Sequence, residues 1–209
     1  MQLLNKTAVK KTIVHTWYIY PILAGIVTVI WLWAFYAFHQ PSKHQLLTLF
    51  FSARVNNTKF VNEIMKNYKR ENLRSVSTSG VLKSSVSQAA FSQKLLAAIN
   101  DSDLLILDKT TIDEFQTNFD LVFYNITENV KDTYITGEQE YYTYTKEETT
   151  YTYGVKLNKE HYADYLTFDE FETYYICVCK SSVNCGELRS ESNKPYDNAL
   201  TFMNYLLQL

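Results

Sequence analysis

Few residues in this chain could do chemistry, and they are scattered. There are four histidines, His15, His39, His44 and His161. Only His161 lies well inside the part that folds, because the others flank or follow an apolar stretch near the start. A Ser-His-Asp relay or a metal centre needs an imidazole among convergent partners. No GxSxG, HExxH, GxGxxG, Walker or EF-hand pattern is present to supply them. Glu140, Glu147, Glu148, Asp169 and Glu170 could provide the facing carboxylates that a glycosidase holds about 5–9.5 Å apart. A solvated acidic surface accounts for the same residues. The expectation is a non-catalytic protein without cofactor or metal.

Three cysteines, Cys177, Cys179 and Cys185, lie close together near the end. Side chains repeat every two residues along a strand, so Cys177 and Cys179 share a face. A three-residue turn at Lys180–Ser182 sets Cys177 across from Cys185, and a five-residue turn sets Cys179 there instead. Either pair could close a cross-strand disulfide if its Cα atoms come within about 4.4–6.8 Å. Buried thiols are the other outcome. A zinc site of three cysteines with His161 lacks the paired CxxC spacing. The tyrosines offer more surface. A hairpin turning at Lys146-Glu-Glu-Thr149 sets Tyr144 opposite Tyr151 and Tyr142 opposite Tyr153. That ladder of four rings could stack on a sugar or anchor a partner, where tyrosine is enriched. Ordinary cross-strand pairing explains it as well.

Periodicity supplies the elements that position these residues. Leu46–Ser52 and Asp103–Leu107 are short apolar runs that read as buried strands, and Leu73–Ser79 alternates as a third. Phe60, Ile64, Met65 and Tyr68 share a helical face. Ala90, Phe91, Leu95, Ala98 and Ile99 form another, capped by Ser85 or Ser87. Thr111-Ile-Asp-Glu114 is a capping-box signal for a third helix. The order β-α-β-α-β-α predicts an α/β domain with a parallel sheet. Antiparallel hairpins follow. One is Tyr-rich, and one pairs Thr173–Cys179 with Val183–Leu188. A final helix over Pro195–Leu207 opens with proline in its first turn and turns Ala199, Phe202, Met203 and Leu206 to the sheet.

One stretch decides where that domain works. Ile13–Phe38 contains no Lys, Arg, Asp or Glu. At about 1.5 Å per residue it clears a hydrocarbon core of about 30 Å. Trp17 and Tyr18 sit at one end and Trp31 and Trp33 towards the other, as interface anchors do. Lys6, Lys10 and Lys11 are the only charged residues among the first 39, so the positive-inside rule puts the N-terminus in the cytoplasm. The predicted order is a cytoplasmic tail (1–12), a single transmembrane helix (13–38), a linker (39–45) and an extracellular α/β domain (46–209). Apart from those three lysines, the chain's remaining 17 Lys/Arg fall in the linker and that domain, against all 22 Asp/Glu. An excess of acid excludes a nucleic-acid footprint. Only five glycines leave little room for phosphate-cradling loops.

The order of elements resembles one lobe of the extracytoplasmic solute-binding proteins of ABC transporters. Leu46–Ser52 matches that family's first strand. Asp103-Leu-Leu-Ile-Leu-Asp108 matches a third strand ending in an acid, and Pro195–Leu207 matches a C-terminal helix packed on the same lobe. Tyr174–Leu188 looks like the late hairpins of degenerate, membrane-anchored relatives from Gram-positive bacteria. The second lobe would be cut down to the Tyr-rich hairpin, so no ligand residues carry over. The resemblance implies an α/β lobe at the surface of a Gram-positive cell. The expected function is an accessory or interaction subunit of a membrane complex, with an integral membrane partner such as a transporter permease. The alternative is a tethered receptor that binds a solute or glycan through the tyrosine face.

Overall fold

The computed structural model describes residues 17–68, 73–187 and 195–209. The tail over 1–12 and the start of the span at Ile13 lie outside the described residues. The chain divides into two compact units, 1–41 and 42–209.

The first unit holds one helix, α1 (Ile19–His39), with no buried residue. It is long and apolar enough to cross a membrane, with a mean hydropathy of 1.9, a property that signal sequences near an N-terminus share. Pro21 is its third residue, where the missing donor is one that a helix end leaves unpaired anyway. Trp17 and Tyr18 precede the helix and Trp31 and Trp33 sit in its second half, all exposed. The helix runs one residue past Phe38, so the linker begins at Gln40.

In the second unit a 3-10 turn at Lys43–Gln45 leads into β1 (Leu46–Phe51). The chain then forms β2 (Arg54–Val55), α2 (Asn57–Asn67), β3 (Ser75–Gly80), α3 (Gln88–Asp101) and β4 (Leu104–Asp108). Three short helices follow, α4 (Lys109–Asp113), α5 (Phe119–Val122) and α6 (Glu128–Tyr134). The rest comprises β5 (Tyr141–Lys146), β6 (Thr149–Lys156), β7 (Leu166–Thr167), β8 (Tyr174–Val178) and α7 (Asn198–Leu207). Six strands form one sheet in the order β3-β1-β4-β8-β6-β5. The first three are parallel, as the alternating pattern predicts, and the remaining pairings are antiparallel, so the sheet is mixed.

Both sheet faces are covered, and the strands show it residue by residue. Leu47, Leu49 and Phe51 of β1 and Leu104 and Ile106 of β4 join the core under α2, α6 and α7. Phe50, Leu105 and Leu107 join the other core, under α3, α4 and α5. Strands buried on both sides read as continuous apolar runs for this reason. Asn56 caps α2 by accepting from the Lys59 amide, and Ser87 caps α3 by accepting from that of Ala90. From β1 the chain goes through α2 to β3 on one side. It then returns through α3, on the opposite face, to β4 on the other side. The carboxyl ends of β1 and β4 therefore form a topological switch point, where open α/β sheets leave a crevice. Gly80 ends β3 beside it. A Cβ there would fall 2.5 Å from the Ala53 carbonyl oxygen, so the close approach of the two backbones requires glycine.

Several expectations are corrected. The capping box at Thr111 gives way to Asp108, whose Oδ1 accepts from the Thr111 amide and caps α4 three residues earlier. Val183–Leu188 does not continue a hairpin, and Leu188 itself lies outside the described residues. Strand β8 already pairs with β4 on one edge and β6 on the other, so no edge remains. The segment instead turns over the amino ends of the parallel strands, where Asn184 Nδ2 donates to Leu46 O and to Asp103. Pro195 lies outside α7, which starts at Asn198, because the Gly186 amide holds the Tyr196 carbonyl. Ala199, Phe202, Met203 and Leu206 do face the core. The β2–β7 pair was not foreseen, since two-residue strands carry no periodicity.

Candidate functional site

At the switch point, Asp108 ends β4 and is 2% exposed. Its Oδ2 accepts from Ser52 Oγ, just past β1, at 2.7 Å and from Thr111 Oγ1 at 2.8 Å. Its Oδ1 accepts from the Thr111 amide at 2.8 Å and from Thr110 Oγ1 at 2.5 Å. Burial pushes this carboxyl up, but the four donated hydrogen bonds outweigh it and hold it below the ordinary 3.8. Lys83 Nζ lies 3.8 Å away and also donates to Thr111 Oγ1 and Glu114 Oε1. A charged, fully subscribed carboxylate is a poor base and nucleophile. Its work is to pin two strand ends and the start of α4 into one rigid rim.

Above that rim is a crevice of about 510 Å³, lined by Lys83, Ser84, Asp108, Thr110, Phe171 and Glu172 among others. Its outer wall is the loop from Phe168 to Thr173, and the loop is braced. Ser84 Oγ donates to Asp169 Oδ1 at 2.6 Å, and the Asp169 amide donates to Tyr174 Oη at 3.1 Å. Lys159 Nζ donates to the carbonyls of Glu170 and Glu172. The Lys109 amide donates to the Thr173 carbonyl at 2.8 Å. At the tip of this fixed loop Phe171 is 96% exposed. A second hollow, about 490 Å³, is also lined by Phe171 and Glu172.

The tyrosine ladder lies on one sheet face, but with a different register and different exposure. Tyr144 pairs with Tyr151 as expected, whereas Tyr142 pairs with Gly154. A bulge leaves Tyr153 without a partner across the ribbon, which replaces the predicted Tyr142–Tyr153 pair. Glu147 and Glu148 form the two-residue turn, with φ of 49° and 68°. Tyr142 and Tyr153 are buried. Phe119 of α5 packs on both, and their hydroxyls donate to Asp113 and Asp120 respectively. Burial, followed by the bonded carboxylate, pushes both phenols up. Only Tyr144 and Tyr151 keep part of their surface in solvent.

The three cysteines are buried and none of them is in a disulfide. Cys177 and Cys179 share one core while Cys185 belongs to the core on the opposite face, so neither cross-strand pairing forms. Burial pushes the Cys177 and Cys179 thiols up, which leaves them protonated. His161 is exposed on the Lys159–Tyr162 turn and contacts Asn158 at 3.2 Å. Among the described residues, no group of three or more His, Cys, Asp or Glu could hold a metal. Of the five carboxylates, Asp169 and Glu170 meet on the braced loop, Glu147 and Glu148 sit on the hairpin turn, and Glu140 pairs with Lys156.

Sequence reasoning reached Asp108 as the acid ending a strand but not its role. The local signal was Asp108-Lys-Thr-Thr111, an acid followed by two hydroxyls at capping distance. Phe171 sits inside the acidic run Asp169–Glu172, and nothing local in the sequence distinguishes an exposed ring there from a buried one. No known protein family, curated protein or solved structure matches the chain.

Proposed function

We propose that this chain is a membrane-tethered, non-catalytic interaction subunit. In this reading α1 anchors it in a cell membrane with the N-terminus in the cytoplasm. The α/β unit stands outside and binds a component of a membrane complex, such as a transporter permease. The observation that carries the reading is Phe171, a large apolar ring held in solvent by a loop that the fold takes trouble to fix. Exposed aromatic anchors on rigid supports are what protein interfaces use as hot spots. A protein partner is favoured over a small solute by the state of the crevice. Asp108 and Lys83 already satisfy each other and their neighbours there, which leaves few free groups to orient a solute.

The full chain, extracted from its own membrane in a mild detergent, is expected to co-purify with one integral membrane protein in fixed stoichiometry. A lone, monodisperse chain under those conditions would contradict the reading.

A further inference from the structure

The surroundings of Phe171 are electrostatically one-sided. The cations near it are engaged by the chain itself. Lys83 holds Asp108 and Glu114, Lys156 holds Glu140, and Lys159 is turned onto two backbone carbonyls. Glu170 and Glu172 flank the ring, and Glu138 and Glu160 line the hollow on one side of it. None of these four carboxylates forms an ion pair among the described residues; Lys109, which feels the charge of Glu172, is paired with Asp113. The hydrogen bonds that brace the loop are made without any contact from the Phe171 ring. The loop is therefore already ordered before anything binds, which removes one cost of association. A protruding ring between two hollows is a knob, and it calls for a socket.

We propose that the loop Phe168–Thr173 docks into a protein partner through an apolar socket ringed by Lys or Arg. Phe171 enters the socket, and Glu170, Glu172, Glu138 and Glu160 face the cationic rim. The inference rests on the interaction-subunit reading and names the surface that such a subunit would use. Attraction across the rim speeds encounter and sets register, while the buried ring supplies the anchor.

The test uses the full chain in its own membrane, with a photoreactive benzoyl-phenylalanine placed at position 171 and, in a second sample, at Leu121. Leu121 is also exposed, at 76%, and is carried by a different element. Irradiation at 171 is expected to give one discrete protein adduct whose cross-linked peptide lies beside Lys or Arg, and position 121 should not give it. The adduct should fall several-fold in 1 M salt, where the screening length is about 3 Å. It should fall at least about tenfold when Glu170→Lys and Glu172→Lys are combined. Phe171→Ala should lose the partner to a similar degree with an unchanged melting curve.

An adduct that is lipid, that is a second copy of this chain, or that ignores salt and charge reversal would overturn the proposal. If no adduct forms at 171 while a stoichiometric partner still co-purifies, this surface is wrong and the interaction-subunit reading survives. If neither appears, both fail.

Discussion

Replacing Asp108 with alanine is expected to cost about 3–5 kcal/mol, close to the largest effect of any single polar substitution in a small domain. The change strands the Ser52, Thr110 and Thr111 hydroxyls and the Thr111 amide, and it removes the cap of α4. Asp108→Asn keeps one acceptor oxygen and should cost about half as much. For a unit of this size, the alanine variant should melt roughly 6–20 °C lower.

The effect should depend on pH in a defined direction. The folded carboxyl titrates below its ordinary 3.8. Its contribution is therefore fully present above that value and is lost as pH falls through the folded value. The gap between wild type and Asp108→Ala should be constant near neutrality and should shrink only below about pH 4. At the other end of the same strand, Asp103 runs the opposite way. Burial raises its carboxyl more than its bonds from Ser182, Thr48 and Asn184 lower it, so it favours the fold most at low pH. Urea melts of the wild type and of Asp108→Ala at pH 7 and pH 3.5 check the sign. A gap that widens on acidification would refute the assignment of Asp108 as a charged knot.

Ending the chain at Asp197 should abolish cooperative folding. Leu200, Phe202, Met203 and Leu206 of α7 are each at most 2% exposed. Their burial is worth about 6–12 kcal/mol in total. A domain of this kind has only about 5–15 kcal/mol of net stability. The truncation also removes the Asn198 bond to the His44 carbonyl at 2.7 Å and the Leu206 carbonyl that accepts from Tyr162. The expected result is a loss of the near-ultraviolet circular dichroism signal with no sigmoidal melt. A sharp transition within a few degrees of the full chain would mean that α7 is an appendage.

The legible parts of the fold were those written in local pattern. Leu104-Leu-Ile-Leu-Asp108 is continuous and apolar because both of its faces are covered. The run Phe91, Leu95, Ala98 is a helix face, with Ser87 at its start. Segments that fill space left by others were not legible. Val183 looked like the return strand of a hairpin because sequence gives no sign that β8 already has neighbours on both edges. The bulge at Tyr153 lies next to Gly154, which packs so closely on Cys177 that a Cβ there would fall 2.9 Å from its Sγ, and neither feature shows in a local pattern. The tyrosine spacing gave the shared face correctly and the exposure wrongly, since Phe119, which covers Tyr142 and Tyr153, sits on a four-residue helix. The site joins Ser52 to Asp108, 56 residues apart, through strand order alone. Only the wound topology brings those two ends together.

The central claim is that α1 holds the folded unit on the outer side of a cell membrane. Adding protease to intact cells that carry a C-terminally tagged chain tests it most directly. The account predicts that the tag and the domain are digested while the N-terminal segment stays with the membrane. An undigested domain inside intact cells, or a full-length chain recovered free in the medium, would contradict it.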